Sequence, residues 1–455
     1  MIFYGIEFII FFVVFLAGLS VFAKSAARSW YILVASYVFY GWWYPPYLVL
    51  LLGLSWLAFW GGLVINRQPR LLTLVVIALL LPLGFFKYAG FVIDNFIAVT
   101  GMEIGYRPDW ALPLGISFIT FTAIAYVIDI HRGVLTAEKT FRQVSLFIAF
   151  FPQLVAGPIL RGRELMPQLA NIRPRWRLLP FGLLLFAFGT VKKVILADGI
   201  GGWVDRIYAS SAPLTMGQSL VAIYGFTVQI YCDFSGYTDM AIGLGAFLGV
   251  WLPRNFERPY LAASVRDFWR RWHMTLSRWL RDYLYIGLGG NRHGYDRMLM
   301  AVMATMLLGG LWHGASWTFV IWGGLHGVLI TAEQLRVKLL PNMALPPLAI
   351  RRLWLLHFVA GAWILFRAQD LDAVAKIVNG LAVATDWAPF AQEMAWPIVL
   401  IAIAVLLHPF DSIARIRLIS RKLPHAVTLT ISIMALAICI ALSIGNPGTF
   451  IYFDF

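Results

Sequence analysis

Charge is what this sequence is short of. Only 13% of its 455 residues are Asp, Glu, Lys or Arg, where an ordinary soluble domain carries about 25%. With 60% of the residues hydrophobic, that shortage excludes a water-soluble globular fold. Uncharged stretches cover residues 29–66, 110–128, 143–160, 207–232, 298–332 and 423–453. A helix needs about 20 mostly apolar residues to cross the hydrocarbon core. The runs are continuous rather than alternating, which excludes a transmembrane β-barrel. The expectation is an all-α polytopic membrane protein, a single integral domain over residues 1–455 with about ten to twelve transmembrane or re-entrant helices.

Other absences narrow the chemistry. The two cysteines, Cys232 and Cys439, lie in apolar surroundings and imply no disulfide framework. There is no His-Glu-x-x-His and no Gly-x-Ser-x-Gly, so neither a zinc-protease helix nor a nucleophile elbow is encoded. The paired halves common in transporters are missing. Residues 8–23 are apolar and Val21-Phe22-Ala23 resembles a cleavage site, but Lys24 and Arg28 follow the apolar core instead of preceding it. A secretory signal has the opposite order. The segment reads as a retained anchor, with its N-terminus outside and Lys24 and Arg28 in the cytoplasm.

The charge that is present is mostly basic, with a net value of +14. It clusters at 161–177 (five Arg against one Glu), 254–297 (nine Arg against four acids), 336–352 and 415–422. The positive-inside rule accounts for these clusters and puts them on the cytoplasmic side. Attraction for anionic lipid, or for an anionic cytosolic substrate such as coenzyme A, is the second reading. Nucleic acid is excluded as a partner, because the basic residues are interleaved with spans. Residues 264–292, SVRDFWRRWHMTLSRWLRDYLYIGLGGNR, place Trp269, Trp272, Leu276, Trp279 and Tyr283 on one stripe at helical spacing. This predicts an amphipathic helix over 260–290, lying in the cytoplasmic interface. His273 falls at the border between that stripe and the arginine side. Arg266, Arg270 and Arg271 are candidates for contact with phosphates.

The stretch GGLWHGASW at 309–317 is unusual in another way. It holds His313 in a region with no charge between Arg297 and Glu333. On one continuous helix His313 would lie more than about 20 Å from either charged edge, near the bilayer midplane. Ionisable side chains at that depth are costly and usually line a pathway. A neutral histidine bonded to a neighbouring helix is the alternative. Gly309, Gly310 and Gly314 permit close approach, and Trp312 and Trp317 are candidates to wall a slot. His326, nearer the charged end, reads as structural. No metal site is predicted, because His313 has no ligand-type residue at i±3 or i±4. A neutral imidazole in a dry pocket suits general-base chemistry, and an alcohol attacking a thioester needs such a base.

Other motifs have plain structural explanations. Asp233, Ser235 and Asp239 flank a glycine at the expected start of an apolar helix, which suggests capping; tunnel lining or pairing with arginine is the alternative for the two carboxylates. Pro152, Gly157 and Pro158 should break a span, with Gln153 lining the gap. Asp370-Leu-Asp372 reads as a helix start and not as a metal site.

Taken together, these segments resemble the membrane-bound O-acyltransferases, and most closely the bacterial branch that contains alginate O-acetyltransferase. The similarity runs through FFKYAGF (85–91), LPLGISFITFTAIAYVIDIHRG (112–133), FFPQLVAGPILR (150–161), YCDFSGYTDMAIGLG (231–245), RNFERPY (254–260), DFWRRWHMTLSRWLRDYLYIGLGGNR (267–292), GGLWHGASWTFVIWGGLHG (309–327), WILFRA (363–368) and FIYFDF (450–455). Cys232, Gly287 and Asp454 depart from that branch, where an aromatic, a proline and a glutamine are expected. The resemblance implies a ring of tilted helices around a central tunnel. It puts the family's catalytic histidine on His313 and its second histidine, near the donor side, on His273. Trp272 then joins Trp312, Trp317, Gln153, Asp233 and Asp239 as tunnel-lining candidates. The implied donor is acetyl-CoA or another cytosolic thioester, and the implied acceptor a polysaccharide hydroxyl. A periplasmic acetyltransferase of the serine-hydrolase type is the implied partner, and the bacterial inner membrane the implied location. A transporter with His313 as a proton relay, or a non-catalytic scaffold for periplasmic enzymes, are the competing readings.

Overall fold

The computed structural model describes residues 1–22, 25–102, 104–105, 110–170, 172–444, 448 and 450–451. Lys24 and Asp454 lie outside them. The described residues form helices and connecting turns, with no strand. Among the described residues six helices are long and apolar enough to cross a membrane: Tyr47–Arg67, Pro69–Thr100, Trp176–Ala209, Leu348–Arg367, Trp387–Phe410 and His425–Ser443. Shorter or more polar ones, Ile6–Val21, Ser25–Gly41, Ile116–His131, Met216–Phe247, Tyr295–His313 and Trp317–Leu339, bring the set to twelve among the described residues.

Which side chains a helix buries reveals its solvent. His425–Ser443 buries Thr428, Ser432 and Cys439 and turns Ile431, Met434, Ile438 and Leu442 outward. That inverted pattern suits a helix facing lipid, where leucine gains nothing by hiding. Met216–Phe247 is the opposite case, buried all round from Phe226 to Phe247. Its glycines make this possible. A Cβ added at Gly243 would sit 2.5 Å from the Gly182 carbonyl oxygen, and one at Gly236 2.6 Å from that of Gly189. These pairs, seven residues apart on each helix, let Leu179–Val191 lie backbone to backbone against the central helix. Asp233, Ser235 and Asp239 therefore sit in the middle of a long helix and cap nothing.

The uncharged run around His313 is not one straight span. Tyr295–His313 ends at the histidine, residues 314–316 turn, and Trp317–Leu339 runs back with Ser316 as its N-cap. The two arms touch where Gly310 meets Gly323, whose Cα would lie 3.1 Å from a Cβ at position 310. His313 is thus at the tip of a hairpin, about 27 Å along the helix from Tyr295. The expected depth for His313 assumed one continuous helix, and the helix instead ends at that residue.

The 260–290 segment also differs from one amphipathic helix. It is broken into Val265–Trp269, Met274–Trp279 and a π-helical turn, Leu280–Tyr285. His273 sits at the break in the left-handed region, at φ 40° and ψ 54°. The predicted stripe is real, but Trp272, Leu276, Trp279 and Tyr283 face the protein core. Periodicity reports which residues want to be dry and is silent on whether lipid or protein provides the dryness. The span break at Pro152–Pro158 and the helix start at Asp370, whose carboxylate accepts the Ala373 N–H at 2.8 Å, are as expected.

Candidate active site

His313 is buried in a box of rings. Its imidazole lies 4.9 Å from Trp312, 5.2 Å from Trp322 and 5.0 Å from Phe366, centroid to centroid. Trp312 stacks on Phe121 at 5.1 Å and approaches His273 at 6.3 Å. The two candidate histidines, 40 residues apart in sequence, thus share one indole as a wall.

His273 is wholly buried instead of standing at a wet border. The Asn255 side-chain oxygen explains its backbone. That oxygen lies 3.2 Å from His273 Nδ1 and accepts from the Thr275 N–H at 3.1 Å and the Thr275 hydroxyl at 2.9 Å. The Met274 N–H donates to the Asn255 carbonyl at 2.9 Å. A left-handed non-glycine residue costs about 1–3 kcal/mol, and here these bonds hold it. Phe234 packs edge-on against the ring at 4.7 Å.

The nearest charge to His313 comes from far away in sequence. Lys87 Nζ donates to the Trp312 carbonyl at 2.6 Å and the His313 carbonyl at 3.0 Å, while the Tyr88 hydroxyl donates to the Leu311 carbonyl at 2.9 Å. These are final carbonyls of the Tyr295–His313 helix, which the helix cannot satisfy itself. A cation also complements the negative end of the helix dipole. Lys87 reaches them because Pro82 lacks an N–H and the helix then widens into the π-helical turn Gly84–Tyr88, a device that re-aims side chains. The FFKYAGF segment was legible as a family motif, but nothing in its spacing linked Lys87 to His313.

A small void of about 20 Å³ borders His313, Trp312, Lys87 and Ser117. Lys87 and Leu112 also line a cavity of about 840 Å³, together with Gly314, Ser316, Gln229, Asp198, Asp205 and Arg367. The Tyr295–His313 and Leu348–Arg367 helices both begin near basic loops and both end at this cavity. It therefore lies at the face opposite the arginine clusters. Its mixed lining of amide, hydroxyl and charged groups suits a hydroxylated molecule. Neither space is lined by His273.

The remaining candidates fall elsewhere. Asp233 and Asp239 are paired with lysines, not arginines: Lys193 bridges Asp233 at 2.7 Å and Asp198 at 2.6 Å, and Lys192 bridges Asp239 at 2.6 Å and Asp411 at 3.0 Å. Asp198 carries this network to the wall of the large cavity. Trp272 packs in the core against Trp363 at 4.9 Å and Phe256 at 5.0 Å. Gln153 is buried in the short Phe151–Leu154 turn and lines neither space. Trp317 does not wall a slot with Trp312. It is 55% exposed and donates its N–H to Asn95 at 2.8 Å. Arg266 faces Glu333 at 3.6 Å and Arg271 faces Asp267 at 2.8 Å, so two of the three phosphate candidates already have carboxylate partners. Arg270 is exposed. Among the described residues no His, Cys, Asp and Glu group has the makings of a metal site.

Comparison with known proteins gives a consistent answer. Residues 138–367 match the family model described as MBOAT, membrane-bound O-acyltransferase family. The chain is 39% identical over 398 residues to a probable alginate O-acetylase, AlgI, of Azotobacter vinelandii, covering 85% of this chain and 79% of that one. It is 36% identical over 391 residues to the peptidoglycan O-acetyltransferase of Helicobacter pylori, covering 78% and 73%. A teichoic acid D-alanyltransferase of Bacillus subtilis is 31% identical over 229 residues, covering 48% of this chain and 58% of the relative.

Proposed function

The chain belongs to the membrane-bound O-acyltransferase family, and from that premise we propose that it moves an acetyl group from a cytosolic thioester, acetyl-CoA, across the bacterial inner membrane to O-acetylate an exopolysaccharide such as alginate. His313 is the general base. Its neutral imidazole takes the proton of the attacking hydroxyl as the oxygen bonds to the thioester carbonyl carbon. The carbon–sulfur bond then breaks, and the proton passes from the imidazolium to the leaving thiolate. An alcohol and a thioester become an ester and a thiol.

Lys87 holds the His313 backbone in place and brings positive potential to the edge of the small void. That potential favours the oxyanion that develops on the thioester carbonyl. His273, across Trp312 from His313, belongs to the donor side, and the left-handed turn aims its ring. The polar cavity at the opposite face takes the hydroxyl-bearing acceptor, either the polymer or a periplasmic serine-hydrolase-type acetyltransferase that carries the acetyl onward. The observation that carries this reading is the placement of His313 at a hairpin tip, beside a cavity on the face away from the basic loops. The test is acetyl-ester content of secreted polysaccharide in cells carrying wild-type protein or His313→Ala at equal membrane abundance. Loss of the esters is expected. Unchanged esters would leave His313 without the role assigned to it.

A further inference from the structure

The arginines of the basic face fall into two groups. Some have carboxylate partners: Arg161 with Asp282, Arg278 with Glu164 at 3.0 Å, Arg281 with Asp282 at 2.6 Å, and Arg254 and Arg258 with Glu257 at 2.5 and 2.6 Å. Arg142 and Arg163 have none within ion-pair distance among the described residues. Both line one cavity of about 550 Å³, whose only acidic lining residue is Glu138. Glu138 is itself engaged, accepting the Lys139 N–H at 3.1 Å.

Arg142 is placed against its own interests. It lies in the first turn of the Phe141–Ala149 helix, where the free N–H groups already carry partial positive charge. Thr140 gives that helix no side-chain cap. The Arg142 Nε is buried with no hydrogen-bond partner; its guanidinium reaches the Ala26 carbonyl at 3.4 Å and lies over the Trp30 ring, 5.9 Å from the centroid. A buried donor on a charged group is expensive when nothing accepts from it. Two guanidinium groups and a helix start thus converge on one pocket that holds a single carboxylate, Glu138, so positive charge is in excess there. Arginine's planar fork matches the paired oxygens of a phosphate.

We propose that this cavity is a phosphate-binding site on the basic face, held by Arg142 and Arg163, and filled by the phosphate of a soluble ester or of a phospholipid headgroup. The inference is independent of the transfer chemistry, because binding here requires nothing of His313. The test uses full-length purified protein in two arms. One titrates coenzyme A by calorimetry. The other measures retention of phosphatidylglycerol against phosphatidylcholine by native mass spectrometry. The double variant Arg142→Gln/Arg163→Gln should weaken binding at least about tenfold in one arm, and that arm identifies the source of the phosphate. Arg163→Gln alone, at an exposed position that spares the fold, should weaken the same arm about threefold. Arg254→Gln, 55% exposed and paired with Glu257, should change neither. No binding by wild type in either arm, or equal losses in Arg254→Gln and Arg163→Gln, would overturn the proposal.

Discussion

The molecule buries lysine in two ways. At Lys192–Asp198, a π-helical turn, two adjacent lysines meet four carboxylates. At Gly84–Tyr88, also a π-helical turn, one lysine meets two carbonyl oxygens and, at 3.5 Å, the Ser117 hydroxyl. In the first cluster each lysine is answered by two carboxylates. It draws Asp239 and Asp233 of the central helix, Asp198 and Asp411 together, and the Tyr231 hydroxyl closes it on Asp411 at 2.6 Å. The second sets a lysine amine against only the partial negative charge of a helix end. Charge answered by counter-charge braces helices; a lysine answered only by carbonyl dipoles sets the field at the place it touches, and the place Lys87 touches is the His313 carbonyl.

That contrast is open to attack at several points. The largest effect should come from His313→Ala, which removes the proposed base and should lower thioester-dependent acetyl transfer about 10²–10⁴-fold while thermal unfolding in detergent stays as in wild type. Lys192→Met should behave in the reverse manner. It strands Asp239 and Asp411, and breaking one partner of a buried pair costs about 3–5 kcal/mol, so the unfolding transition should drop sharply or the protein fail to accumulate. Retained stability with lost transfer would move this cluster from brace to catalyst and dissolve the distinction.

Lys87→Met should fall between. Turnover is expected to drop about 10–100-fold as one oriented stabilising charge is lost, with KM for the donor nearly unchanged and Lys87→Arg recovering part of the rate. A fall in stability without a rate defect would make Lys87 a helix cap and no more. The smallest effect lies at the basic face. Asp282 is partly desolvated, but hydrogen bonds from Arg281 and Arg161 outweigh that and hold its carboxyl below the usual range. A depressed carboxylate stabilises the fold above its ordinary pKa, and that stabilisation is lost as pH falls through the lower, folded value. Wild type should therefore lose stability on acidification below about pH 4, and Arg161→Gln should show a shallower loss over the same window in a melting-temperature series.

The sequence carried the class of fold and one member of the candidate site. Continuous apolar runs named a helical membrane protein, and a histidine isolated among uncharged residues named His313. Both follow from local composition, because the lipid environment leaves little freedom. What stayed hidden was relational. Lys87 lies 226 residues from His313, and only packing brings them together. The turn at His273 depends on Asn255, 18 residues earlier, against a periodicity that argued for unbroken helix. The lysine partners of Asp233 and Asp239 sat in a run whose charges gave no sign of facing inward.

The central claim is that His313 delivers acetyl to the face opposite the one where the thioester binds. Inside-out membrane vesicles supplied externally with acetyl-labelled acetyl-CoA, with an acceptor polysaccharide enclosed and any required partner present, test it most directly. Wild-type vesicles should release free CoA outside and accumulate label on the enclosed acceptor, and His313→Ala vesicles should do neither. Equal labelling of the enclosed acceptor by both would contradict the account.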